Sequence, residues 1–154
     1  TYDIIKKKGK EIMKIYLAGA FFNFISRSEI ELAASILRAR GFDVFVPMEH
    51  TIDGGEEMSN VDWGAQVFYM DVEAINRCDA VVSIYEGMTS DSGTAWEIGY
   101  AFALKKPIVC VHIDKRPASL MVTSSARVNL VGIESLRDYD FNLWKPQLYE
   151  GEVQ

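Results

Sequence analysis

The sequence lacks the features that mark several special classes of protein. Its 154 residues include only two cysteines, too few for a disulfide scaffold, and Cys110 lies in an apolar run that predicts a buried thiol. No apolar stretch reaches the roughly 18 residues of a membrane span, and no charged-then-apolar leader opens the chain. The formal charge is −6 and the one basic run is residues 6–10, which argues against a surface for nucleic acid. We therefore expect a cytoplasmic protein with neither a nucleic-acid partner nor a membrane partner.

The composition indicates one globular domain. Apolar residues make up 49% of the chain and charged residues 25%, which is typical of globular proteins of this length. The chain opens on Thr1, whereas the first β-rich run begins just after Met13. We therefore expect residues 1–12 to be an N-terminal extension and residues 13–154 to form the domain.

Apolar periodicity predicts that strands and helices alternate along the chain. One predicted helix has a capping box, formed by Ser26 and Glu29, at its start. Another carries a stripe that we expect to be buried, formed by Val61, Ala65, Phe68, Val72 and Ile75. The predicted strands are 14–18, 42–46, 79–85, 107–113 and 127–132, and the predicted helices are 26–40, 60–77 and 93–105. This alternation predicts a single-domain α/β fold with a doubly wound parallel sheet and right-handed crossovers.

In such a sheet the ligand lies beyond the carboxyl ends of the strands. Residues 90–101 follow the apolar third strand and open a helix, so they are the strongest candidate site. Asp91 is placed to cap that helix, and a functional role for it stays open beside the structural one. Glu97 lies two turns further on, where a solvated helix residue is the alternative. Gly93 and Gly99, which cost helix stability, indicate close approach of a ligand or of another backbone. Asp71 borders the buried stripe, either at the surface or in a cleft.

Five segments together carry a specific pattern. They are KIYLAGAFF at 14–22, Asp71, DAVV at 79–82, DSGTAWEIGYA at 91–101 and YEGEVQ at 149–154. This pattern resembles the nucleoside 2-deoxyribosyltransferase family, from about Lys14 to the last residue. The resemblance implies a flavodoxin-like five-stranded parallel sheet with helices on both faces. It implies transfer of 2-deoxyribose between the purine or pyrimidine bases of 2'-deoxyribonucleosides. It also implies a homo-oligomer, a hexamer built of dimers.

The resemblance assigns roles to individual residues. Glu97 is expected to be the nucleophile that forms a covalent sugar ester, Asp71 the general acid, and Tyr16 the residue that orients the nucleophile. The implied substrate contacts are Asp91 for the sugar 5'-hydroxyl, Phe21, Phe22 and Trp63 as walls for the base, and Gly19 in the first loop. No histidine and carboxylate spacing suits a metal, so we expect neither metal nor cofactor.

Three further contacts follow less directly from the resemblance. The family's base-reading glutamine is not obvious in the loop 47–59, where His50 or Thr51 takes its place. Asn129 matches a residue that the family borrows from a neighbouring subunit. The carboxylate of Gln154 is expected to approach the pocket of Glu97. The tail, residues 138–154, carries four aromatic residues but shows no helix or strand period. On a free end these side chains would expose a sizeable apolar patch, so we expect the tail to pack against the domain or against a neighbouring subunit.

Two other functions compete with base exchange. A nucleoside 5'-monophosphate N-glycosidase would need a phosphate site, which the helix start at residues 92–94 would supply, although Asp91 would repel the phosphate. A non-catalytic nucleotide-sensing domain would not need Glu97.

Overall fold

The computed structural model describes residues 11–154, so most of the predicted extension lies outside the described residues. Five parallel strands form one sheet in the order β2-β1-β3-β4-β5. They are β1 (Lys14–Ala18), β2 (Asp43–Phe45), β3 (Ala80–Tyr85), β4 (Ile108–His112) and β5 (Val128–Val131). Every residue of the central strand β3 is buried, as its continuous apolar run predicts. The predicted five-stranded doubly wound sheet is therefore confirmed.

Helices cover both faces of the sheet. They are α1 (Phe24–Ala39), α2 (Asn60–Arg77), α3 (Ser92–Ala103) and the short α4 (Leu120–Ser125). Alternate strand residues divide the core into two clusters, because successive side chains of a strand point to opposite faces. Ile15 and Leu17 pack with α1 on one face, whereas Tyr16 packs with residues of α2, α3 and α4 on the other. The sequence pattern did not predict α4.

The start of α1 differs from its predicted position. Asn23 has an extended backbone, and its side chain accepts a hydrogen bond of 2.9 Å from the Ser26 amide, so Asn23 is the N-cap. Ser26 lies inside the first turn, and its hydroxyl donates to a Glu86 carboxylate oxygen at 2.7 Å. The capping box predicted at Ser26 and Glu29 is therefore wrong. Asn23 was an equally good cap by residue type, and only the backbone conformation decides between them.

The apolar stripe predicted along α2 is largely uncovered. Ile75 is the one buried residue of this helix, while Val61 is 80% exposed and Phe68 is 46% exposed. Phe68 contacts Trp96 of α3 at the surface of the domain, with ring centroids 5.4 Å apart. The prediction of a buried face was wrong for the single chain, because the sheet covers only the end of α2 that leads into β3.

The aromatic tail packs on the domain, as predicted. Phe141 is 1% exposed and meets Phe42 edge-on, and the Arg40 guanidinium lies over both rings. Further along, Gln147 forms a parallel bridge with Val128 at the edge of the sheet. Among the described residues, no helix has the length and apolar character needed to cross a bilayer.

Candidate active site

The candidate site lies where the connections that follow two neighbouring strands go to opposite faces of the sheet. Strand β1 leads into α1 on one face of the sheet, whereas its neighbour β3 leads into α3 on the other face. The diverging connections open a crevice beyond the carboxyl ends of these two strands, which is where doubly wound folds bind ligands. Loop 19–23 and loop 86–91 border this crevice.

Glu97 and Tyr16 meet across the crevice although 81 positions separate them in the sequence. The Tyr16 hydroxyl donates to Glu97 Oε1 at 2.7 Å, and Tyr16 is fully buried. Burial raises the pKa of Glu97 to about 7, and the charges of Asp71 and Asp91 act in the same direction against the Tyr16 hydrogen bond. Burial, and then the Glu97 charge, raises the pKa of Tyr16, so this phenol stays a donor. Glu97 is thus a poorly solvated carboxyl group held in one orientation.

Asp71 joins the same electrostatic cluster from α2. Burial raises its pKa to about 6, and its charge acts on both Glu97 and Tyr16. Its Oδ1 atom is buried without a hydrogen-bond partner among the described residues. Of the two positions left open by the sequence, the fully exposed one does not apply, because Asp71 is half-buried. Two carboxyl groups with raised pKa values, one of them oriented by a phenol, suit paired acid and nucleophile chemistry.

Asp91 caps α3, as predicted. Its Oδ2 atom accepts from the Thr94 amide at 3.1 Å and lies 3.4 Å from the Thr94 hydroxyl. A Cβ atom on Gly93 would lie 2.8 Å from Asp91 Oδ2, so the glycine makes room for this carboxylate. Gly99 faces open space in the single chain, so the close approach of a ligand or another backbone stays a prediction there. Asp91 is half-buried beside Glu97, and its charge helps to raise the pKa of that group.

Aromatic side chains extend the site away from Glu97. The Tyr16 ring stacks on Phe45 at 5.6 Å, and Phe45 stacks on His50 at 4.1 Å. His50 therefore lies in line with the phenol that holds Glu97, in the loop expected to read the base. Phe45 was missed by sequence reasoning. The signal was available in its position at the end of β2, where it pairs in register with Tyr16.

The other predicted walls make contacts of their own. Phe21 and Phe22 pack against each other at 5.1 Å, and Phe22 remains 75% exposed. Trp63, at the start of α2, lies against the loop, where a Cβ atom on Gly55 would come within 3.0 Å of its ring. A side chain at position 19 would crowd the core, because a Cβ atom on Gly19 would lie 3.0 Å from the Ile30 side chain.

Asn129 does not reach outward as the resemblance implied. It is 2% exposed, its Oδ1 atom lies 3.0 Å from His112 Nε2, and its amide nitrogen donates to the Thr123 and Gln147 carbonyls. A side chain enclosed in this way is not free to enter a neighbouring subunit's site, so this prediction is corrected. Gln154 lies beside α4, where its backbone N–H donates to the Ala118 carbonyl at 3.0 Å.

The fold and the pair of carboxyl groups with raised pKa values are those of an α/β enzyme with two carboxyl groups in one site. More particularly, the chain belongs to the nucleoside 2-deoxyribosyltransferase family, whose model matches residues 15–131. It is 30% identical over 146 residues to a nucleoside deoxyribosyltransferase of Limosilactobacillus fermentum, covering 84% of this chain and 86% of that one. The structure is similar to a 2-deoxyribosyltransferase of Bacillus psychrosaccharolyticus, with a TM-score of 0.80, 31% identity, and coverage of 88% and 98%. The protein is a transferase of this family.

A third likeness concerns the fold alone. A CMP N-glycosidase of Clostridium botulinum has a TM-score of 0.57 and is 21% identical, covering 80% of this chain and 96% of its own.

Proposed function

We propose that this protein transfers 2-deoxyribose from one nucleobase to another through a covalent sugar ester on Glu97. The observation that carries the proposal is the 2.7 Å hydrogen bond from Tyr16, which holds the Glu97 carboxyl group in place within a desolvated crevice. Breaking the bond between sugar and base develops oxocarbenium character at the anomeric carbon. A nearby carboxylate stabilises that charge and then forms the ester. A 2'-deoxy sugar lacks the electron-withdrawing hydroxyl next to this carbon, so its cation forms more readily.

Asp71 supplies the proton that the leaving base needs. Burial raises its pKa to about 6, so it holds a proton at a higher pH than an ordinary aspartate. In the second half-reaction the same carboxylate takes a proton from the incoming base, and that base attacks the anomeric carbon and releases Glu97. The second half-reaction reverses the bond and proton changes of the first, so one acid–base residue serves both.

Asp91 distinguishes a nucleoside from a nucleotide. One of its oxygens caps α3, and in this proposal its carboxylate also accepts the hydrogen bond of the sugar 5'-hydroxyl. A phosphate in that position would meet a negative charge, which argues against the monophosphate N-glycosidase. A domain that only senses nucleotides gains nothing from two poorly solvated carboxyl groups, since burying them costs stability.

The base lies among Phe21, Phe22, Trp63 and His50. Flat aromatic side chains pack against the faces of a nucleobase, and the imidazole of His50 offers a donor or an acceptor to its edge. The stack from His50 through Phe45 to Tyr16 connects base recognition with the residue that holds Glu97. His50 is thus our candidate for the base-reading residue.

We also propose that the protein assembles as a homo-oligomer, a hexamer built of dimers. Several large apolar residues of α2, α3 and α4 are exposed, including Phe68, Trp96 and Met121. An apolar surface of this kind is typical of a protein–protein interface. A second copy would cover the stripe of α2 that the single chain leaves exposed.

Base exchange is tested by one incubation with two controls. With 2'-deoxyadenosine and a second free base, we expect a new 2'-deoxynucleoside to form faster than free deoxyribose. Omitting the second base leaves hydrolysis alone, and adenosine in place of 2'-deoxyadenosine should react far more slowly because of its 2'-hydroxyl. Product analysis by chromatography measures all three reactions. Deoxyribose as the main product in every mixture, or equal rates with adenosine, would contradict the proposal.

The resemblance implies a role for Gln154 near the pocket of Glu97, and a second experiment tests this expectation. Deleting Val153 and Gln154 is expected to cut base exchange sharply while leaving the melting temperature almost unchanged, because both residues are exposed and add little to the core. Sedimentation shows whether assembly survives. Full activity after the deletion would limit the tail to packing, and dissociation into monomers would place its main role at an interface.

A further inference from the structure

The last residues of the chain lie across the edge of the sheet as a strap, residues 147–154. Backbone hydrogen bonds tie both of its ends to the domain. They are Asn129 N–H to the Gln147 carbonyl at 2.9 Å, Ala118 N–H to the Glu152 carbonyl at 2.9 Å, Gln154 N–H to the Ala118 carbonyl at 3.0 Å, and Leu120 N–H to the Gln154 oxygen at 3.0 Å. All eight strap residues apart from Tyr149 are exposed, so little apolar burial holds the strap in place. Its attachment therefore depends on a few specific contacts.

A buried imidazole lies beneath the middle of the strap. His112, at the end of β4, is 2% exposed, and the Tyr149 ring of the strap stacks on it at 4.1 Å with an interplanar angle of 21°. The Oδ1 atom of Asn129, in β5, lies 3.0 Å from His112 Nε2. The side-chain amide nitrogen of Asn129 donates to the Gln147 carbonyl at 3.3 Å. His112 and Asn129 thus contact the strap at two neighbouring points.

The hydrogen bonds of Asn129 determine the form of the imidazole. Its amide nitrogen faces two carbonyl oxygens, those of Thr123 and Gln147, so Oδ1 is the atom turned to His112. Nε2 must then carry a hydrogen and donate it to Oδ1, which leaves Nδ1 as the unprotonated nitrogen of the neutral ring. Acid adds its proton at Nδ1, within the cluster that the strap closes.

Few polar groups are available to stabilise a charged ring there. Tyr85 of β3 meets the His112 ring edge-on, Tyr149 covers it, and the nearby charged group is Asp114, after β4. Burial lowers the pKa of His112 from its ordinary value of 6.5, outweighing the Asn129 hydrogen bond and the Asp114 charge. The closed cluster favours the neutral ring.

We propose that His112, Asn129 and Tyr149 form a pH-sensitive latch, which holds the strap against the sheet while His112 is neutral and releases it when His112 is protonated. With the strap away, His112 meets water and recovers its ordinary pKa, so the open state binds more protons than the closed state. Closure therefore strengthens as pH rises, and it weakens by about tenfold per pH unit as pH falls between the open and closed pKa values.

The latch is an inference beyond the proposed function. Only the effect of the latch on catalysis rests on the proposed function. The Tyr85 hydroxyl accepts a hydrogen bond of 3.1 Å from the Ser119 amide, just before α4 and next to the bonds that hold Gln154. Opening the latch thus frees the segment that we propose to act at the site of Glu97. His112 is in this respect a positioning residue.

Hydrogen exchange followed by mass spectrometry tests the latch on the whole protein without substrate. In the wild type, protection of residues 147–154 should fall severalfold between pH 7.5 and pH 5.5, after correction for the intrinsic pH dependence of exchange. In His112→Gln the side chain keeps a donor for Asn129 but does not titrate, so its strap protection should be the same at both pH values. Tyr149→Ala should lose strap protection at both, whereas the matched control Tyr149→Phe keeps the stacking and the wild-type pH response.

Three outcomes would overturn the latch. These are constant strap protection in the wild type, an unchanged pH response in His112→Gln, or equal protection in Tyr149→Ala and Tyr149→Phe. If His112→Gln fails to fold, the comparison of Tyr149→Ala with Tyr149→Phe tests the latch, because Tyr149 lies at the surface of the domain. Base exchange is measured separately in the wild type, so a protein without that activity would refute the proposed function and leave the exchange result standing.

Discussion

Replacing Glu97 by glutamine is expected to lower base exchange by about 10³-fold or more while the fold stays intact. Glutamine keeps the shape of the side chain and an oxygen for the Tyr16 hydrogen bond, but its neutral amide does not attack the anomeric carbon. Intact-mass analysis with a slow 2'-fluoro nucleoside should show a sugar adduct on the wild type and none on Glu97→Gln. An adduct on the variant would assign the nucleophile to another residue.

The same substitution is its own control for folding. The folded protein raises the pKa of Glu97 from 4.5 to about 7, chiefly by burial, so folding favours the protonated form. The stability that this preference provides is fully present below pH 4.5 and is lost as pH rises through about 7. Glu97→Gln removes the ionisation, and at pH 8 the variant should be more stable than the wild type by about 3 kcal/mol. Denaturant unfolding at pH 4.5 and pH 8 measures the difference. An inactive variant that is also less stable at pH 8 would indicate a damaged fold.

Replacing Asp71 by asparagine should reduce exchange by about 10²-fold or more with an ordinary purine deoxynucleoside, because the leaving base then lacks its proton. The defect should shrink to less than about tenfold with a purine already methylated at N7, since this base departs neutral without a proton. Comparing kcat/KM for the two substrates separates proton donation from general damage. An equal loss with both substrates would mean that Asp71 does not act as the acid.

The pH profile of the wild type follows from the same pair of groups. Glu97 must be ionised and Asp71 must be protonated. Because the pKa of Glu97, about 7, lies above the pKa of Asp71, about 6, the reactive form is a minority at every pH, and activity falls below about pH 6 and above about pH 7. Opposing requirements produce a bell-shaped profile. With Asp71→Asn and the N7-methylated substrate, only the loss on the acid side should remain.

Much of the fold was predictable because its signals are local. Strand β3 reads as a continuous apolar run, and residues 91–101 carry a cap at Asp91 followed by the Glu97 segment. These patterns depend on neighbours within a few positions, so the parallel sheet and the family could be predicted before any contact was known. The start of α1 could not, because Asn23 and Ser26 are both good caps and the extended backbone at Asn23 selects between them.

The sequence by itself determined the alternation of the five strands with the three long helices, the family and the candidate carboxyl groups. Only the tertiary structure decided what these groups touch. The parallel register sets Phe45 beside Tyr16, and the crossover through α3 brings Glu97 back to the Tyr16 hydroxyl. The tertiary structure also enclosed Asn129 under the strap, where a contribution to a neighbouring subunit's site was expected, and left the stripe of α2 exposed. Such contacts join residues far apart in the chain, and their geometry depends on strand register and helix packing, which no local pattern encodes.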